Sequence, residues 1–313
     1  MPRRPTTEQI LQWNERRGRG RIGSEFVYLI DNLARTWNAA KSRSESDDFV
    51  FVRLNTILEV FVRETVRGIV DKSDKYLDRA EKFLKDAKLD RLVAKHLRGQ
   101  ILTIGDIVAH NISLSTLDEL LSVYEQLMPG FRNALSTVTE RWVEDKKSKR
   151  KPIVSDIEKT LAAVSKIMEV RNILVHEIPE ESPYNASDVK DYIDYCKQFV
   201  SAIGWYITGE LWGDVPRTQT QMNVTAGESL AAEEEVLSKL IGDLTARGEP
   251  DSAKLAASQE AWERYADADA KLHASLVEGG TMYPLIWATQ KTVLTKARIK
   301  ALRWWLERSE GEM

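Results

Sequence analysis

SDIEKTLAAVSKIMEVRNILVHEIP, running from Ser155 to Pro179, decides how this chain is read. Ser155 followed three residues later by Glu158 has the spacing of a capping box, and Pro152 and Pro179 bracket the stretch. Between them Ile157, Leu161, Val164, Met168, Val175 and Ile178 recur at alternating steps of four and three. Ala163, Ile167, Val170 and Leu174 widen this stripe into a broad apolar arc, the pattern of a helix with one buried face. Lys159, Lys166 and Glu169 lie opposite. Arg171 breaks the stripe, and an Arg in such a place is either buried with a partner or turned toward another subunit. Asn172 and His176 stand one helical turn apart on one edge of the arc, so Asn172 is expected to orient His176.

Moving outward, the rest of the chain reads as helices joined by short breaks. Residues 1–24 form a basic tail with Arg3, Arg4, Arg16, Arg17, Arg19 and Arg21, which is either a solvated segment or a contact for an RNA backbone. Helical patterns follow near 25–40, 49–71, 72–87 and 89–96. Ser115 is the expected cap of a long helix reaching about Val143, with a break near Pro129-Gly130. The basic run Lys146, Lys147, Ser148, Lys149, Arg150, Lys151 then leads into the Arg171 helix. A last helix starts near Ser187, with Val189, Ile193, Cys196, Phe199, Val200 and Ile203 on its apolar face. No stretch reads as a strand. The expected fold class is all-α: a helical bundle over 25–212, a linker over 213–227, and a smaller three-helix domain over 228–313.

Composition narrows the functional classes. The chain has 313 residues, 42% of them hydrophobic and 30% charged, enough for two domains of a globular protein. A net charge of −3 means that any RNA contact must come from local basic patches such as Lys146–Lys151 and the N-terminal arginines. Cys196 is the only cysteine, so no disulfide can form within the chain. His96, His110, His176 and His273 are too scattered to suggest a metal cluster, and no metal or cofactor is expected. His110, beside Asn111, reads as a structural histidine. Phosphate-loop, dinucleotide-binding, zinc-protease and nucleophile-elbow signatures are all missing. Without a hydrophobic leader or a membrane-length apolar run, a cytoplasmic location is expected.

An Arg, an Asn and a His at the end of one helix are residue types suited to holding a phosphate and moving a proton beside it. Arg171-Asn172-Ile173-Leu174-Val175-His176 resembles the Arg-x4-6-His motif of the HEPN superfamily, which also favours a polar residue directly after the Arg. The resemblance extends over about residues 25–212 as an all-helical pattern. It implies metal-independent RNA cleavage by a homodimer that brings two motifs together, with Arg171, His176 and Asn172 as catalytic residues. Such an enzyme is expected to serve as a toxin or antiphage effector, restrained or triggered by its C-terminal module, an antitoxin or another protein. The competing expectation is a non-catalytic dimer in which Arg171 is an interface ion-pair residue.

In the C-terminal part, Gln259, Trp262 and Tyr265 are spaced by three, followed by Gly279-Gly280 and then Thr295, Arg298 and Leu302. This arrangement, over about residues 230–306, resembles the lysozyme-inhibitor family of the LprI type. The resemblance implies a three-helix fold and a module that binds or senses a protein. Trp262, Tyr265, Tyr283 and Trp287 are expected in its core. Trp304 and Trp305 are adjacent and cannot both face it.

Overall fold

Helix α3 (Arg43–Val70) is the axis of the N-terminal unit. Val50, Phe51, Leu54, Leu58, Phe61, Val62, Val66 and Ile69 are all buried along it. A helix that is apolar on several sides needs neighbours on several sides. Those neighbours are α2 (Gly23–Ala39), α4 (Asp74–Leu84), α6 (Ile104–Asn111), α7 (Leu117–Leu127), α9 (Ile157–His176) and α10 (Val189–Trp212). Each large side chain removed from water contributes about 1.5–3 kcal/mol before conformational entropy is counted. The computed structural model describes residues 6–17, 23–40, 43–85, 87, 91–99, 101–145, 150–177 and 179–307. Among the described residues there are thirteen α-helices, three short 3-10 turns and isolated β-bridges, so the all-α class is met. No helix among them is long and apolar enough to cross a membrane.

The chain divides into two compact units, residues 1–141 with 149–213, and residues 142–148 with 214–313. In the first, α1 (Thr7–Arg17), α5 (Arg91–Arg98) and α8 (Phe131–Ala134) complete the helices. Helix α1 lies inside the stretch read as a tail. It is helical because Thr7 and Ile10 are buried and the Trp13 ring lies 5.0 Å from the ring of His110 on α6. His110 is buried, in keeping with a structural role. Cys196 is buried on α10, where desolvation pushes its thiol up to about 12 and leaves it without nucleophilic character.

Several boundaries differ from those read in the sequence. Helix α9 starts one residue later than the Ser155 box implies, because Asp156 is the cap and accepts from the Lys159 N–H at 3.1 Å. Ser155 instead donates its backbone N–H and hydroxyl to Gln198 Oε1. Thr116, not Ser115, caps α7 and forms the capping box with Glu119. That helix stops at Leu127, well short of Val143, where Gly130 at φ 91° turns the chain.

Helix α6 is fixed by a capping box of its own. Thr103 Oγ1 accepts from the Asp106 N–H at 3.1 Å, and Asp106 Oδ2 accepts from the Thr103 N–H at 2.9 Å. Beside it, Gly105 donates its N–H to Asp71 Oδ1 at 2.8 Å, which joins the start of α6 to the end of α3.

In the second unit, α11 (Gln219–Arg247) and α12 (Ser252–Ala274) both pack along α13 (Tyr283–Glu307). Leu237, Leu240, Leu244, Leu255, Ile299 and Leu302 form the core, with Trp262 and Trp305 against it. Trp304 remains 43% exposed, as adjacency to Trp305 requires. Helix α11 starts inside the stretch read as a linker. Thr218 caps it, and Asn223 ties its first turns to the Thr281 carbonyl at 3.0 Å.

Glu144 clamps this start by accepting from the backbone N–H groups of Arg217 and Thr218 at 2.8 and 2.7 Å. Desolvation raises its carboxyl, but the bonds from Thr218, its own N–H and Arg217 outweigh that and hold it at about 2. A depressed folded value means that the clamp is complete above the unfolded value of about 4.3 and is lost as pH falls toward 2. We expect the Thr218 amide resonance to titrate with a midpoint well below 4.3, and Glu144→Gln to remove that titration. A midpoint at the ordinary carboxylate value would show that the clamp does not persist in solution.

Candidate functional site

Along α9 the buried face consists of Thr160, Ala163, Val164, Ile167, Met168 and Val170. It ends there. Arg171 is half-buried, Asn172 is exposed, Val175 is 47% exposed and His176 is exposed at the last helical position. Val175 was expected on the buried stripe, and Ile178 lies outside the described residues. Leu174 still packs against the core, so within this turn it is Val175 that keeps the period without the burial.

Arg171 has no ion-pair partner among the described residues. Its Nη1 donates to Asn172 Oδ1 at 3.0 Å. Asn172 therefore holds Arg171, where the sequence suggested that it would hold His176. Five positions separate Arg171 from His176, which is a rotation of about 140° and a rise of ~7.5 Å on one helix. At that rotation the two side chains leave the exposed end of α9 in well-separated directions.

The segment after α9 is anchored by Tyr184. Its hydroxyl donates to Asp48 Oδ1 at 2.5 Å, and its ring lies 4.4 Å from the ring of Phe51 near the start of α3. Desolvation, then the bond to Asp48, raises the phenol, so it remains a donor. Nothing in the sequence marked Tyr184 or Asp48, because they are 136 positions apart. Glu177, Glu180 and Glu181 are exposed nearby in the chain and give this end negative charge.

Of the candidate RNA-contacting residues, the described Arg150 and Lys151 lie at the opposite end of α9 from His176. Arg150 is half-buried and Lys151 exposed before the start of α9, whose 20 residues span ~30 Å. Arg16 and Arg17 close α1. Arg19, Arg21, Lys146, Lys147 and Lys149 lie outside the described residues.

The C-terminal unit holds a second candidate site. Helices α11 and α12 both pack along α13, and an open groove of about 540 Å³ lies between them. Leu237 and Ile241 of α11, Trp262 and Glu263 of α12, and Lys291 of α13 line it. Arg298 reaches α12 from α13, donating Nε to Gln259 Oε1 at 3.3 Å and Nη2 to Ser258 Oγ at 2.9 Å. Tyr265, expected in the core beside Trp262, is 56% exposed. Steps of three drift by about 60° per step on a helix, so Gln259 and Tyr265 no longer share a face.

The family model described as Lysozyme inhibitor LprI matches residues 214–302. That span begins where the C-terminal unit resumes, at Asp214, and takes in α11, α12 and most of α13. The C-terminal module is thus similar to this family, whereas the Arg171–His176 motif rests on its own residues. No curated protein and no solved structure matches the chain.

Proposed function

We propose that the N-terminal unit is a metal-independent endoribonuclease of the HEPN type, with Arg171 and His176 as catalytic residues and Asn172 positioning Arg171. The observation that carries this reading is Arg171: half-buried, held by Asn172, and without an ion-pair partner among the described residues, on the same exposed helix end as His176. A guanidinium so placed is ready for a phosphate. His176 takes the proton from a ribose 2′-hydroxyl, and that oxygen attacks the adjacent phosphorus. Arg171 neutralises the charge that builds on the phosphoryl oxygens. The P–O5′ bond breaks, leaving a 2′,3′-cyclic phosphate on one product. The departing 5′-oxygen takes a proton from His176 of a second copy in a homodimer. The biological setting that fits such an enzyme is a cytoplasmic toxin or antiphage effector under the control of a protein signal.

Incubation with single-stranded RNA in excess chelator is expected to give cyclic-phosphate ends, and the matching DNA is expected to stay intact because it lacks the attacking hydroxyl. Products with free 3′-hydroxyl ends, or equal cutting of DNA, would refute the mechanism.

We further propose that residues 214–302 recognise a protein, either an antitoxin or a trigger. Support comes from the match to a family whose printed name describes inhibition of a protein, and from the open groove between α11 and α12. A second reading of the N-terminal unit, a non-catalytic interaction domain, draws on the exposed Glu177, Glu180 and Glu181, which repel a phosphate backbone. Expression in cells separates the two: toxicity lost in both Arg171→Ala and His176→Ala favours the nuclease, while growth unaffected by the wild-type chain favours the interaction domain.

A further inference from the structure

The groove of the C-terminal unit has a chemistry that selects its occupant. Its apolar floor is made by Leu237, Ile241 and the Trp262 ring. The two cations on its lining are already engaged. Lys291 Nζ lies 3.1 Å from Glu234 and 5.0 Å from the centre of the Trp287 ring, and Arg264 Nη1 is 2.7 Å from Glu260. Asp267 is likewise paired, with Lys271 at 2.6 Å.

Glu263 differs. It is exposed and forms no ion pair among the described residues. Its Oε1 accepts from Gln259 Nε2 at 3.2 Å, and Gln259 Oε1 accepts in turn from Arg298 Nε at 3.3 Å. This relay orients the amide of Gln259 with its nitrogen toward Glu263, whose charge has no cationic partner among the described residues. An unpaired carboxylate lining the same groove as Trp262, Leu237 and Ile241 suits a cation on an apolar stem.

We infer that this groove binds a segment of another protein in which an arginine or lysine is flanked by aliphatic residues, with the cation on Glu263 and the aliphatic side chains on Leu237 and Ile241. The inference rests on reading the C-terminal unit as a protein-recognition module and gives that module its site. The geometry favours a helical segment, because the groove lies between two helices that both pack on a third. Trp262 lies on the path of the incoming stem, and Arg298 acts through Gln259 as a positioning residue.

The test uses the full chain and a fluorescein-labelled amphipathic peptide of leucine, alanine and arginine, with a glutamate-substituted peptide as comparison. The arginine peptide is expected to bind by fluorescence anisotropy, to weaken as salt is added, and to protect residues 234–241 and 259–267 from hydrogen exchange. Glu263→Gln should weaken binding roughly tenfold, while Glu235→Gln, an exposed change outside the groove lining, should leave it unchanged. Equal binding of the glutamate peptide, equal affinity for Glu263→Gln, protection elsewhere, or no binding at all would each overturn the assignment. Should a co-purified protein cross-link to the C-terminal unit only outside these two segments, the groove fails as the site and the recognition reading survives. If no partner engages residues 214–307 in any experiment, that reading falls too.

Discussion

Replacing His176 with alanine is expected to lower RNA cleavage by roughly 10²–10⁴-fold, the usual contribution of a general base. The side chain is exposed at the last position of α9, beyond the final buried residue of the helix, Val170. Its removal should therefore change stability by no more than about 0.5 kcal/mol. That separation gives the experiment its force, because activity is lost while the thermal unfolding curve stays in place. Arg171→Ala should cost a similar order, about 10²–10³-fold, through loss of charge stabilisation at the phosphoryl oxygens. Arg171→Lys should recover little, since a point-like ammonium cannot present two parallel N–H groups to a phosphate. Asn172→Ala should have a smaller effect and act through Arg171, whose Nη1 it holds at 3.0 Å. Rates measured on single-stranded RNA for these four proteins, each checked for unfolding by circular dichroism, decide the matter. Wild-type cleavage by His176→Ala would end the ribonuclease proposal.

How far the sequence foretold these features depends on whether the deciding contacts are local. The helical state of Ile157–Val170 is visible in its period, because a buried face repeats every turn. The limit of burial is not. Val175 keeps the period and is 47% exposed, since the periodicity does not say where the neighbouring helices stop. Helix α1 and the first turns of α11 were hidden for the opposite reason. Their residues look polar, and they are held by distant groups: Trp13 by the ring of His110, Asn223 by the Thr281 carbonyl. At the motif, Arg171, Asn172 and His176 were legible as a set, but the partner of Asn172 was not. An amide one turn from a histidine and beside an arginine can serve either, and the side-chain conformers decide. The C-terminal groove was legible only in fragments. Gln259, Trp262 and Arg298 stood out by their spacing, whereas the meaning of Glu263 and Ile241 depends on α11 and α12 sharing α13.

The largest effect on stability is expected from Gly105→Ala. Gly105 sits one residue into α6, in an ordinary helical conformation, where alanine would normally stabilise a helix by up to about 1 kcal/mol. Here the order is reversed by packing. A Cβ at this position would lie 2.5 Å from the Arg67 carbonyl oxygen and 2.7 Å from the Asp71 carboxyl carbon. The first of these is backbone of the central helix α3 and cannot swing aside. The close approach is needed because the Gly105 N–H donates to Asp71 Oδ1 at 2.8 Å, and moving α6 away to admit a methyl group breaks that bond. Asp106 is buried, caps α6 through Thr103, and lies 3.8 Å from Arg67, which itself pairs with buried Glu64 at 2.7 Å. Overpacking costs about 1–3 kcal/mol, and losing the bond from the buried Gly105 N–H to the Asp71 carboxylate adds about 1–3 kcal/mol. The sum is a substantial share of the roughly 5–15 kcal/mol that holds a domain folded. Urea unfolding should therefore show a large drop in midpoint for Gly105→Ala and a smaller one for Asp71→Asn, which leaves the close approach intact and weakens only the acceptor. Equal midpoints for wild type and Gly105→Ala would mean that α3 and α6 do not approach as closely as these distances require.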